Sequence, residues 1–70
     1  MAEQVHELYL LRRKQVESRT GLRRSTIYAR IAEGTFPPPV SLGARAVGWP
    51  SDLIDRWIAE RIADGRRATA

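Results

Sequence analysis

The chain contains no cysteine. That absence excludes disulfide bonds, thiolate zinc sites and cysteine nucleophiles together. Histidine occurs once, as His6, and with no second imidazole to join it the ring reads as solvent-exposed and leaves no metal-ligand set. Long apolar runs are also missing. The longest near the N-terminus, Leu8 to Leu11, follows Glu3 and Glu7 and has charges directly behind it. That is the reverse of a secretory signal, and no segment approaches the roughly 20 apolar residues of a membrane span. The expectation is an intracellular, soluble protein. Lysine is almost absent: Lys14 is the only one among 12 basic residues.

With 70 residues there is room for one domain with a small core. A chain of this size buries only about 60% of its unfolded surface. With no disulfide or metal to staple it, stability must rest on Phe36, Trp49, Trp57 and the Ile, Leu and Val set. The sequence therefore reads as a single domain over residues 1–70, with an ordered core of 8–64.

The charge is distinctive in kind and in place. A net charge of +4 and a pI near 10.7 favour a polyanionic partner. Arginine supplies fixed, bidentate contacts to phosphates and guanines. Between Arg12 and Arg45 stand Arg12, Arg13, Lys14, Arg19, Arg23, Arg24, Arg30 and Arg45, opposed only by Glu17 and Glu33. The C-terminal segment is nearly balanced.

Punctuation along the chain predicts the elements. Leu8 to Leu11 reads as a short extended lead-in over the core. A first helix follows, roughly Arg13 to Arg19, burying Val16 and closed by Thr20-Gly21. A second runs from about Arg24 to Glu33, where Ile27 and Ile31 share one face, and Gly34 stops it. Pro37-Pro38-Pro39 forbids helix. Beyond it, Val40 and Leu42 alternate with Ser41, and Val47 and Trp49 alternate with Gly48, which reads as a β-hairpin with Arg45 at or near its tip. Two strands alone are marginal, so Val40, Leu42, Val47 and Trp49 are expected to lie on the helices. The last helix is predicted from Ser51, its N-cap, through an apolar stripe of Ile54, Trp57, Ile58 and Ile62, to Gly65. Arg66 to Ala70 would be a polar tail.

Helix, tight glycine turn, helix, hairpin, helix is the order of a small α+β winged helix-turn-helix. Gly21 lets the chain turn, and Leu22 plugs the space between the helices. Arg23, Arg24, Ser25 and Thr26 then arrive at the exposed leading end of the second helix, where they can reach phosphates and base edges. Tyr28 and Arg30 lie further along that helix; Arg13 and Lys14 open the first helix; Arg45 tips the wing. The bland alternative is a turn between two short helices with a solvated basic face. The coincidence of the basic excess with the segments a winged helix-turn-helix presents favours the functional reading. For Tyr28, a phosphate contact and a stack on the core remain equal alternatives. Trp49 and Trp57 read as core anchors. Ser25 has no histidine base nearby in the chain and no G-x-S-x-G setting, capping and solvation account for Asp52 and Asp55, and no glycine-rich phosphate loop is present.

The ordered set Lys14-x-Val16, Thr20-Gly21-Leu22, Ser25-Thr26-Ile27-Tyr28, Gly34-x-Phe36-Pro37-x-Pro39-Val40, Leu42-Gly43, Val47-x-Trp49 and Trp57 resembles the AlpA family of short prophage-type transcriptional regulators. That family is close to the excisionase and MerR-like winged helix-turn-helix group. The likeness runs from Leu10 to about Arg61. It implies a DNA-binding regulator without catalytic activity or cofactor, acting at promoters or assisting excision. It puts Arg24, Ser25, Thr26 and Tyr28 in the major groove and the wing, with Arg45, on the backbone or minor groove. Two departures from the family pattern stand out. Arg23 stands where a capping Ser is common, and Pro38 and Ser41 stand where the hairpin segment often carries basic residues.

The partner expected is double-stranded DNA, with no membrane and no small-molecule ligand, in a cytoplasmic, nucleoid-associated protein. A recombinase, or a second copy bound cooperatively on DNA, is the further partner considered. The alternative function is an architectural factor, such as an excisionase or an accessory to a recombinase or packaging enzyme. An RNA-binding module is disfavoured, because interleaved exposed aromatics are lacking.

Overall fold

The computed structural model describes residues 8–69; His6, Glu3 and Glu7 lie outside the described residues. Along the chain come β1 (Leu10–Leu11), α1 (Arg13–Thr20), α2 (Arg24–Glu33), β2 (Val40–Gly43), β3 (Ala46–Pro50) and α3 (Ser51–Thr69). The strands form an antiparallel sheet in the order β1-β3-β2. The result is the small α+β, winged-helix-like fold that the pattern predicts. Among the described residues no helix is long and apolar enough to cross a membrane.

The two short helices are defined by their ends. α1 follows an extended Arg12, whose N–H donates to Gln15 Oε1 at 2.8 Å. It closes at Gly21, which has φ 76° and donates its N–H to the Glu17 carbonyl at 2.8 Å. The Thr20 hydroxyl stitches the turn: it donates to the Val16 carbonyl at 2.8 Å and accepts the Leu22 N–H at 3.2 Å. Leu22 thereby packs against the core, as expected. α2 follows an extended Arg23, so it begins at Arg24 as read, and it closes at Gly34 with φ 80°. Left-handed backbone at both glycines is what an L side chain resists.

The core is Leu11, Val16, Ile27, Phe36, Trp49 and Ile54, with Leu22, Ile31, Val47, Trp57 and Ile58 packed on it. Of the lead-in expected over the core, only Leu11 enters it; Leu8, Tyr9 and Leu10 are exposed. β1 is a third strand, pairing Leu11 with Trp49 and Leu10 with Pro50. Backbone bonding continues past the strand: the Ser51 N–H donates to the Tyr9 carbonyl at 2.8 Å.

Three expectations need correction. The first concerns the hairpin, where only Val47 and Trp49 face the helices. Val40 is 43% exposed and Leu42 41%. The cause is register. Val40 pairs with Gly48, not with Val47 or Trp49, and a period of two then sends the β2 and β3 apolar pairs to opposite faces. Leu42 and Leu10 meet over Gly48, where an added Cβ would lie 3.1 Å from each.

Second, Ser51 is not the N-cap. It is the first residue of α3, it is buried, and its hydroxyl accepts the Tyr9 N–H at 3.2 Å, tying β1 down instead of serving the helix. Third, α3 passes Gly65 and reaches Thr69. Gly65 is not among the positive-φ glycines, so it gives no stop. Asp64 spans the position by binding Arg61 at 2.6 Å and Arg67 at 3.2 Å. The apolar stripe outruns the core: Ile62 is 47% exposed.

Two alanine substitutions should move stability in opposite directions. Gly21→Ala meets no atom within 4 Å, so its cost is the left-handed backbone alone, about 1–2 kcal/mol. Gly65→Ala, also in open space but inside a helix, should gain about 1 kcal/mol. Urea unfolding of the two variants checks both signs.

Candidate nucleic-acid interface

The leading end of α2 gathers Arg23, Arg24, Ser25 and Tyr28 around one open surface depression. The residue type before the helix matters. Arginine has no acceptor and cannot cap, and no side-chain cap is present at Arg23. Ile27 is the first residue of the helix whose N–H finds a backbone carbonyl, that of Arg23 at 2.9 Å. The amides ahead of it lie at the positive end of the helix dipole, beside two guanidinium groups.

Tyr28 packs on the core, one of the two alternatives left open for it, and also carries a guanidinium. One edge packs against Trp49, centroid to centroid 6.3 Å at 66°. The other side carries the Arg24 guanidinium, 5.7 Å from the ring centre. At 39% exposure the ring is a platform that the core holds in place and on which Arg24 rests. Thr26 belongs to the same turn but is half-buried, so it reaches outward less than Ser25. Arg30 is placed elsewhere. It lies over Trp57 at 6.0 Å, and Arg61 lies over the same ring at 5.4 Å. The structure does not bring Arg30 to the leading end of α2.

A second group forms between α1 and the wing. Arg12, Arg13, Lys14 and Arg45 line one cleft of about 420 Å³, with Val47 contributing to its wall. Arg13, Lys14 and Arg45 are singled out from the sequence; Arg12 is not. The signal was available, because an arginine directly before a helix forgoes a cap and so invites another explanation. Arg45 sits in the hairpin turn with φ 64°, a left-handed conformation that costs a side-chain-bearing residue about 1–2 kcal/mol.

The two groups are neighbours on one strand. Tyr28 leans on Trp49, and the cleft abuts Val47. These two residues are two apart on the same face of β3, so about 7 Å separates them. Ion pairing differs sharply across the molecule. Arg13 pairs with Glu17, Arg19 with Asp55, and Arg61 and Arg67 with Asp64. Among the described residues no ion pair is recorded for Arg12, Lys14, Arg23, Arg24 or Arg45, nor for Arg30 or Arg56. Also among the described residues, no group of three or more His, Cys, Asp or Glu could hold a metal ion.

The sequence that folds this way has counterparts among known proteins. The family model for the prophage CP4-57 regulatory protein (AlpA) matches residues 9–62. The chain belongs to the AlpA family. The match takes in both cation groups and stops inside α3, seven residues before Thr69. One relative is the protein ORF88 of Enterobacteria phage P4, 47% identical over 57 residues, which are 81% of this chain and 65% of that one. The chain thus spans slightly under two thirds of that phage protein. Another is the DNA-binding transcriptional activator AlpA of Escherichia coli K12, 36% identical over 58 residues, 74% of this chain and 83% of that one. No solved structure matches.

The double role of Tyr28 has a measurable consequence. Tyr28→Phe keeps the ring and should leave stability within about 0.5 kcal/mol. Tyr28→Ala removes the edge contact to Trp49 and should cost about 1–2 kcal/mol. Denaturant melts followed by tryptophan fluorescence distinguish a ring held by the core from one that is merely exposed.

Proposed function

We propose that this AlpA-family chain is a non-enzymatic transcriptional regulator that binds double-stranded DNA in a sequence-specific manner. α2 enters the major groove with Arg24, Ser25 and Tyr28 leading, Arg23 beside them and Thr26 at the flank. The wing carries Arg45 to the backbone or minor groove. Residues 1–70 act as one DNA-binding unit in the cytoplasm, on the nucleoid. The observation that carries this reading is the uncapped leading end of α2, with two arginines that lack ion pairs among the described residues. Arg24 is held over a ring anchored to the core, so a long side chain is restrained before it meets a base, which lowers the ordering cost of binding. The name of the Escherichia coli relative, a DNA-binding transcriptional activator, supports the same reading.

A second reading has its own observation. α3 continues beyond the core to Thr69 with Ile62 exposed. That length offers a face to a recombinase or to a second copy on DNA, as an architectural or excision factor requires.

Selection of the purified chain on random duplexes decides between them. An enriched motif establishes sequence reading. Salt-sensitive binding without one moves the assignment to the architectural role. With about four to six phosphates neutralised, log K against log salt should fall with a slope of about −4 to −5; a slope near zero rules out this mode. Arg24→Ala should cost about 1–3 kcal/mol and relax preference at a single base pair. Equal loss on every sequence would make Arg24 a phosphate contact instead.

A further inference from the structure

We infer that the outer face of the three-stranded sheet is a self-association surface, through which a second copy of this chain packs sheet to sheet. The surface stands apart from the DNA-binding reading; only its promotion by a shared duplex rests on that reading.

Register defines the face. Leu10 pairs with Pro50 and Val40 with Gly48, and a period of two turns these residues, with Ala46, away from Val47 and Trp49. Leu42 lies on the same side, since it meets Leu10 over Gly48. An antiparallel sheet with one face on its core ordinarily presents polar side chains on the other. Here the outward strand positions are Leu10, Val40, Leu42, Ala46, Gly48 and Pro50, and none carries a polar side chain. Leu8 extends the patch beyond β1, in a shallow depression shared with Leu10 and Pro50. Leu8, Leu10, Val40 and Leu42 are between 41% and 64% exposed. Glycine inside a strand forfeits packing. At position 48 it leaves room for leucines of the two outer strands to close over the middle one, so the apolar surface runs unbroken across three strands.

Charge and area favour a second copy as the occupant. A lipid surface is met by apolar groups flanked with cations. The wing cleft, however, lies along Val47, and the Arg24 site leans on Tyr28 and Trp49, on the opposite side of β3. The charged residue at the Leu8 depression is Asp52, which repels an anionic membrane. The same separation lets two molecules of net charge +4 approach, because both sheets stand between their cation groups. A face without polar side chains gives a foreign protein no hydrogen-bond pattern to recognise, whereas it matches itself across a two-fold axis. The largest apolar patch on an ordinary monomer covers about 300–600 Å². Two such faces bury about 600–1,200 Å², at or below the lower limit of a stable complex. The pairing is therefore weak in free solution and is promoted where two copies are held close, as on one duplex. A two-fold pair calls for a site in inverted repeat.

The chain has no cysteine, so a single introduced thiol reports one place. Leu42→Cys and, on the rival face of α3, Ala59→Cys are treated with a bismaleimide long enough to cross the about 10 Å between stacked sheets. Sedimentation equilibrium follows wild type, Leu42→Glu and Val40→Thr up to millimolar concentration. Wild-type mass should rise from 7.9 kDa toward twice that value, and Leu42→Glu should stay monomeric. Val40→Thr keeps a β-branched side chain in the strand; it should fall between them with an unchanged circular dichroism spectrum. Leu42→Cys should cross-link several-fold more than Ala59→Cys, and a duplex carrying the selected motif in inverted repeat should raise that yield further. A wild-type mass fixed at 7.9 kDa, with equal cross-linking at both positions, would overturn the inference. The face would then belong to an intramolecular cover or a foreign protein, and DNA binding would be untouched. Cross-linking that favours Ala59→Cys would overturn it in favour of α3. Pairing through Leu42→Cys in a chain that binds no duplex would keep the surface and end the DNA-binding reading alone.

Discussion

Trp49 is the residue on which the arrangement depends. It is fully buried, and it touches each part that has to be placed. Across the sheet it pairs with Leu11, which fastens β1. Its ring takes the edge of Tyr28, which sets the outer side of α2. Its indole N–H donates to the Pro37 carbonyl at 2.9 Å, which anchors the connector leading into the wing. An indole needs a partner for its one polar group when it is buried. Here that partner belongs to a segment whose prolines cannot join a strand interior or a helix. A side chain thus does the work that backbone ladders do elsewhere.

The same device occurs a second time in the connector. The Trp57 N–H donates to the Thr35 carbonyl at 2.9 Å, and Phe36, between the two anchored carbonyls, is buried with its ring 4.8 Å from that of Trp57. The run from Thr35 to Pro37 is therefore fixed at every residue although it belongs to neither helix nor strand. This is how a small core without disulfides positions a wing. Ser51 makes a comparable contribution at the other end of the sheet, where its backbone and hydroxyl both bind Tyr9. α3 starts where β3 stops, and β1 is locked to that corner.

Most of this order is visible in the sequence because punctuation and periodicity are local. Gly21 and Gly34 close their helices at the positions read, and the start of α2 is as read even with Arg23 in place of a capping serine. Errors arise where the answer depends on pairing partners. Alternation in Val40-Ser41-Leu42 and in Val47-Gly48-Trp49 is equally regular, and nothing local says that register sets the two apolar pairs on opposite faces. Ser51 has the right chemistry for a cap, but a residue 42 positions earlier claims its hydroxyl. Gly65 looks like Gly34 in one dimension, but it is not among the positive-φ glycines and α3 runs through it to Thr69. For the site, the leading end of α2 could be read from the order of residues. The meeting of Arg12 with Arg45 could not, because it joins two elements distant in the chain. The displacement of Arg30 onto Trp57 is likewise a matter of tertiary placement.

The distribution of ion pairs completes the electrostatic picture. Acidic residues on α1 and α3 take up Arg13, Arg19, Arg61 and Arg67. Such exposed pairs contribute little to stability, typically about 0–1 kcal/mol, so the fold does not rest on them. Their larger effect is on where positive charge is left: Arg19, Arg61 and Arg67 are neutralised outside the wing cleft, and Glu17 offsets Arg13 within it. What remains without a recorded ion pair among the described residues lies mainly at the α2 leading end and in the wing cleft, the two groups that adjoin along β3. The net charge of +4 therefore understates the local field: each ion pair adds nothing to the total, and carboxylates that pair with no arginine of the patch, such as Asp52 and Glu60, subtract from it. Mutual repulsion within that patch destabilises the free protein and is relieved by a polyanion, so stability and affinity are linked through the same side chains. A charge-neutralising substitution there should strengthen the free fold as it weakens binding, whereas one at Arg19 or Arg61 has no such coupling.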